Sequence, residues 1–193
     1  DYGVPQDRYR MFMIGNRLGI DFEPPIPTHY PFGSGQTPEY TTVGSAILDL
    51  MGHENEVPNH IPLNHKPIVA ARYGYVKEGC KLNIEDLPQE LAVATRKDSK
   101  TGTVANYSHV YKRLDRNKTS TTMVPGHNAF PIHPVLNRTL TAREAARIQT
   151  FPDSHIFFGT RQEQCIQVGN AVPPKMAEPF LIKIAEYISK EEQ

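Results

Sequence analysis

The stretch that most narrows what this chain can become lies near its end, at residues 138–153, reading RTLTAREAARIQTFPD. Thr141 followed three residues later by Glu144 is a capping box. The Thr hydroxyl accepts the N3 amide, and the Glu carboxylate reaches back to the cap's own N–H. The helix that follows carries Ala142, Ala145, Ala146 and Gln149, small side chains suited to close packing. Arg143 and Arg147 sit four apart on another face, with Glu144 placed to pair with Arg147. Phe151-Pro152 stops the helix, because proline disfavours helical geometry in the residue before it. On pattern alone such a helix reads as a surface element with solvated charges.

Two further stretches change that reading. Near the start stands Gln6-Asp7-Arg8-Tyr9-Arg10, and near the end Gln167-Val168-Gly169-Asn170-Ala171-Val172-Pro173-Pro174. Taken with residues 138–153, they resemble motifs VIII, IX and X of the DNA cytosine-5 methyltransferases, in the family's order. The motif IX form is close to R-x-L-T-x-R-E-A-A-R-x-Q-x-F-P-D, and motif VIII is a Q-x-R-x-R element. The resemblance covers the chain from end to end, with a variable middle between about residues 20 and 135.

The same family carries its nucleophile in a Pro-Cys motif, helped by the Glu of E-N-V, and holds its methyl donor with a Gly-rich F-x-G-x-G loop. None of these is in the sequence. Its two cysteines, Cys80 and Cys165, follow Gly and Gln rather than Pro. The resemblance therefore implies a C-terminal portion whose catalytic half lies elsewhere. The chain opens on Asp1 rather than Met, so its start reads as a cut boundary rather than a translation start.

The fold class this implies is α+β or mixed: a target-recognition domain flanked by one strand and one C-terminal helix of a Rossmann-like methyltransferase domain. Residues 1–20 would hold the motif VIII strand, and residues 21–137 a linker and the recognition domain. Residues 138–165 would be the hinge helix and a loop, and residues 166–193 the motif X loop and a helix returning to the catalytic domain.

Composition supports a loop-rich soluble chain, with 17 prolines, 13 glycines and a mean hydropathy of −0.49. No apolar run approaches the ~20 residues that span a membrane, and no signal peptide is evident. Two unlinked-looking cysteines favour a reducing compartment, and the expected location is the cytoplasm of a bacterium, on DNA. Basic and acidic residues balance at 21 each, so net charge does not advertise nucleic acid. Locally, Arg96, Lys97, Lys100, Lys112, Arg113, Arg116 and Lys118 outnumber Asp98 and Asp115, a balance of +5. Clustered cations supply sequence-independent DNA affinity through phosphate contacts, although a solvated loop looks similar.

Along the chain, residues 8–15 read as a strand with an apolar centre, Met11-Phe12-Met13-Ile14, suited to cover on both faces. Gln6, Arg8 and Arg10 would point to one side, and paired guanidiniums make a fixed anion site. The resemblance gives Arg8 and Arg10 a supporting catalytic role beside the extruded cytosine or its phosphate. Residues 21–42 read as a long loop. Residues 42–51 read as a short helix with Val43, Ala46, Ile47 and Leu50 on one face. His53, His60 and His65 match no compact metal-ligand spacing, so no metal is expected.

The recognition region is expected from about residue 67, with Arg72, Tyr73, Tyr75 and Lys77 near its start. Tyr107, Val110 and Tyr111 would cluster beside Lys112 and Arg113. Thr121-Thr122-Met123-Val124 before Pro125-Gly126 reads as a strand and turn, and resembles the T-[ILV] element that touches target backbone. Arg72, Lys112, Arg113, Thr121 and Thr122 are the DNA-contact candidates. Arg138, Thr141, Arg143, Glu144 and Arg147 are read as architectural. The motif X resemblance makes Asn170 and Ala171 the S-adenosyl-L-methionine side. Proline opens the last helix favourably, Met176, Ala177, Phe180, Leu181, Ile184 and Ile188 form its apolar stripe, and Pro179 is expected to kink or break it.

The function implied is methyl transfer from S-adenosyl-L-methionine to carbon 5 of a flipped cytosine in double-stranded DNA, inactive without the catalytic half, as in a restriction–modification system. The alternatives are a non-enzymatic DNA-binding module, a split-enzyme recognition subunit and, more remotely, a tRNA-methylating relative. An unpaired strand and an uncovered helix stripe also predict that the isolated chain associates with itself.

Overall fold

The computed structural model describes residues 1–17, 19, 21–92, 111–126 and 130–191. Arg96, Lys97, Lys100, Tyr107 and Val110, of the basic and aromatic clusters above, lie outside the described residues. Five α-helices follow in order: α1 (Val43–Ile47), α2 (Pro67–Gly74), α3 (Ala142–Ile148), α4 (Arg161–Asn170) and α5 (Pro174–Glu191). A 3₁₀ turn, Leu48–Leu50, extends α1.

α3 sits at the centre. Its alanines let α1 and α4 approach closely, and Ala145, Ala146 and Ile148 pack with Val43, Ile47, Met123, Phe130, Leu140, Cys165 and Val168. A smaller cluster joins Tyr73, Val76 and Ile132 to the half-buried Tyr111. The short helix expected after residue 42 is present, with Thr42 accepting the Ser45 amide as its cap.

The mixed-sheet expectation is not met among the described residues, where β pairing is confined to isolated bridges such as Gln6 with Ser120 and Arg113 with Ile132. Residues 8–16 form no strand. A strand needs a neighbour for its backbone groups, and here Tyr9, Met11 and Met13 stand 95%, 85% and 89% exposed. Residues 121–124 likewise form no strand. Residues 67–74, at the start of the expected recognition region, form α2, entered through Pro67 at a position where proline's missing N–H costs nothing. α4 was not anticipated: the loop expected up to residue 165 gives way to a helix at Arg161. α5 runs through Pro179 without a break.

Candidate functional site

The segment around α3 is built as its cap requires. Thr141 Oγ1 accepts the Glu144 amide at 3.1 Å and Glu144 Oε2 accepts the Thr141 amide at 2.8 Å. His60 fixes the hydroxyl. Its Nε2 faces the Leu50 carbonyl at 3.0 Å and must donate, so Nδ1 accepts from Thr141 Oγ1 at 2.9 Å. Burial alone would raise the Glu144 carboxyl, but Arg138, bidentate at 2.7 and 2.8 Å, holds it below the usual carboxylate range. Glu144 therefore pairs with Arg138 and not with Arg147, as the spacing had suggested.

The two helix arginines are not solvated charges either. Arg143 is fully buried and donates to the carbonyls of Pro58, Pro152 and His155 at 2.8, 2.9 and 2.6 Å. Arg147 grips Asp153 at 2.9 and 2.6 Å and Asp49 at 2.6 Å. Its hydrogen bond to Asp153 is the chief reason its guanidinium titrates above the usual range.

A second cluster forms where the three motif stretches meet. Gln6 accepts the Met123 amide and donates to Gln149 of the segment after α3; Arg8 Nη1 donates to the Gly169 carbonyl at 3.0 Å and the Met123 carbonyl at 3.4 Å. Burial, then the neighbouring Arg10, lowers the Arg8 guanidinium below its usual range. Arg10 itself is exposed and, among the described residues, bonds the Tyr9 carbonyl. At Gly169 an added Cβ would lie 2.6 Å from Pro125 Cα and N. Only glycine allows α4 to press on residues 124–125. Asn170 ends α4 with an exposed side chain, and Ala171 follows half-buried, its amide on the Val168 carbonyl.

The DNA-contact candidates divide. Thr122 is exposed, its hydroxyl on the Asp7 carbonyl at 2.7 Å, and Thr121 is half-buried beside it. Lys112 is half-buried. Arg72 reaches the Leu91 and Ala92 carbonyls at 2.8 and 2.7 Å. Arg113 is corrected: it is 5% exposed and donates to Tyr73 O, Val76 O, His133 O, Leu136 O and Asn137 Oδ1, all within 2.9 Å. A guanidinium so enclosed has no donor for a phosphate. His53, His60 and His65 have three separate partners, Glu56, Thr141 and Thr139. Gln6 and Gln149 were missed as site residues. Their sequence signal is the single carboxamide that each motif carries.

A family model for C-5 cytosine-specific DNA methylases matches residues 1–186. The chain belongs to that family. Methylases of this kind take their methyl group from S-adenosyl-L-methionine. The type II methyltransferase M.NgoFVII of Neisseria gonorrhoeae is 35% identical over 179 residues, covering 91% of this chain and 44% of its own. The type II methyltransferase M.AquIB of a Picosynechococcus strain is 34% identical over 144 residues, covering 68% of this chain and 90% of its own. A solved structure described as a DNA modification methyltransferase encoded within an E. coli prophage gives a TM-score of 0.48 at 28% identity, over 69% of this chain and 30% of that one. This methylase chain spans about half the length of its longer curated relatives. The family match begins at residue 1, so it includes the Gln6–Arg10 stretch. None of the methylase's described helices is long and apolar enough to cross a membrane.

Proposed function

We propose that this chain is the DNA-recognising, motif VIII–X portion of a DNA cytosine-5 methyltransferase, working with a catalytic portion that carries the thiol nucleophile. The observation that carries this reading is the meeting of three sequence-distant stretches at one junction. Arg8, residues 121–125 and the Gly169-Asn170 turn lie in direct contact there. A base inside a duplex has to be extruded before chemistry on its carbon 5, so groups that hold the base, the backbone and the methyl donor have to converge. M.AquIB supports the division of labour, since the match to this chain fills nearly all of that relative.

Arg8 keeps Nε and Nη2 without a partner among the described residues, and these donors face the extruded base or its phosphate. Arg10, exposed, adds charge beside it. Thr121 and Thr122 offer hydroxyls to the target backbone, contacts that fix register without reading sequence. Lys112, bridged to Lys81, adds a cation for phosphate attraction. The exposed Asn170 carboxamide and the Ala171 turn fit the polar edge of S-adenosyl-L-methionine, which when bound supplies an electrophilic methyl group. Arg138, Thr141, Arg143, Glu144 and Arg147 hold the hinge and touch neither ligand.

The test is to express the chain with the catalytic portion of a close relative and read methylation of host DNA by bisulfite sequencing. Cytosine methylation that requires this chain, at one defined sequence, is the expected result. DNA binding with no methylation from any such pairing overturns the enzymatic reading in favour of a binding module. Methylation confined to RNA overturns the DNA assignment.

A further inference from the structure

The junction contains a relay of side-chain amides whose orientation the chemistry leaves no freedom to reverse. The Met123 N–H can only donate, so the Gln6 atom 2.9 Å away is its oxygen. Gln6 Nε2 therefore turns to Gln149, whose oxygen accepts at 3.0 Å. That leaves Gln149 Nε2 to donate, 2.9 Å from the Val168 carbonyl. Flipping either amide would set N–H against N–H or oxygen against oxygen. Gln149 is fully buried and Gln6 nearly so, which makes a broken link costly.

The two ends of the relay matter. Met123 follows Thr121 and Thr122, and Val168 O also accepts the Ala171 amide at 3.3 Å, closing the turn that carries Asn170. A parallel bridge runs through Arg8, from the Met123 carbonyl to the Gly169 carbonyl. Both backbone groups of Met123 are thereby tied to both peptide groups at the end of α4. Gly169 against Pro125 removes the remaining slack.

We propose that Gln6 and Gln149 are positioning residues that couple occupancy of the DNA-facing segment at residues 121–124 to occupancy of the cofactor-facing turn at residues 169–171. This rests on the functional reading above for what each segment binds. Neither glutamine touches a ligand; each transmits a shift of one segment to the other. Coupling of this kind is reciprocal, so either ligand changes the affinity of the other by the same factor.

The experiment uses the complete methylase containing this chain, with the duplex site found by bisulfite sequencing and S-adenosylhomocysteine as a non-reacting cofactor probe. The wild type is expected to change its DNA affinity by about fivefold or more when the probe is saturating. In Gln149→Met and in the milder Gln6→Met, that factor falls below about twofold, while DNA affinity without the probe moves by less than about threefold. Val76→Ala, a lesion in the separate core cluster of Tyr73 and Ile132, keeps the wild-type factor. Variants that bind both ligands more weakly with the factor unchanged make the glutamines merely structural and overturn the proposal. Hydrogen exchange on the wild type gives a reading independent of variant folding: DNA alone slows exchange at residues 168–171, and the probe alone slows it at residues 121–124. Absence of that cross-protection also overturns the proposal. A wild-type enzyme that methylates DNA and fails these tests sinks the coupling alone. One that binds neither ligand sinks the functional reading with it.

Discussion

Arg113 and Lys112 are adjacent in sequence, but Arg113 is enclosed and Lys112 is half-buried. Arg113 supplies five hydrogen bonds that tie residues 73–76 to residues 133–137. Arg113→Met leaves those oxygens unpaired and is expected to cost about 3 kcal/mol or more in urea unfolding. Lys112→Met should change stability by less than about 0.5 kcal/mol and weaken DNA binding instead. His133 gives a pH prediction. It is fully buried, its Nδ1 accepting the Val135 and Leu136 amides at 3.1 and 3.0 Å. Burial is the main cause that pushes its pKa down to about 4. The unfolded residue titrates near ~6.5, so between these values the unfolded state holds the extra proton. Stability is full above that range and falls by about 3 kcal/mol as pH drops through it. His133→Asn, which keeps an acceptor at the Nδ1 position, should flatten the pH dependence of unfolding by about one proton. A wild-type slope in that variant would show that His133 is not the group responsible. The Thr141–Glu144 box could be read from its three-residue spacing. The enclosure of Arg113 could not, because its partners are mostly backbone oxygens that carry no residue identity.

Among elements, legibility followed local chemistry. α3 was visible because its start, its small face and its proline stop are all written within residues 138–153. α4 carried the same start signal, with Thr160 and Glu163 forming a capping box. It was overlooked because glutamines and a glycine blur its apolar face. The strand expected at residues 8–15 failed for a different reason: pairing depends on a neighbour, and no residue pattern within a segment supplies one. Gly169 decides how α4 meets residues 124–125. Gly169→Ala would gain about 1 kcal/mol of helix propensity. Its Cβ, however, would fall 2.6 Å from backbone atoms of Pro125, which cannot swing aside like a side chain. Overpacking of about 1–3 kcal/mol should win, lowering the thermal midpoint. An unchanged or raised midpoint would mean that the contact is loose.

At the scale of the whole molecule, residues 9–14 and α5 leave several large apolar side chains uncovered. Phe12 stacks on Phe180 at 4.5 Å, and a cavity of about 220 Å³ opens between Ile14, Gly15, Asn16 and Phe22 on one side and the α5 side chains Ile184, Tyr187 and Ile188 on the other. Tyr9, Met11 and Met13, and Leu181 and Ile182 of α5, are exposed. Unpaired backbone beside uncovered apolar side chains favours association, so the chain without its catalytic portion should sediment as a dimer or larger at micromolar concentration. Met11→Asp with Met13→Asp should return it to a monomer, and a wild-type monomer across that range would refute the prediction.

The buried guanidinium of Arg143 has a consequence for how such a protein tolerates ionic strength. Its hydrogen-bond acceptors are neutral oxygens, and the nearest carboxylate, Asp153, stands 3.8 Å away. Mobile ions neither reach nor screen such an arrangement, whereas contacts to phosphate weaken steeply as salt rises. The interior clasp and the grip on a polyanion therefore answer to different variables. On the proposed function, a salt concentration that releases DNA leaves the Arg143 contacts in place, so the segment around α3 keeps its arrangement off the DNA.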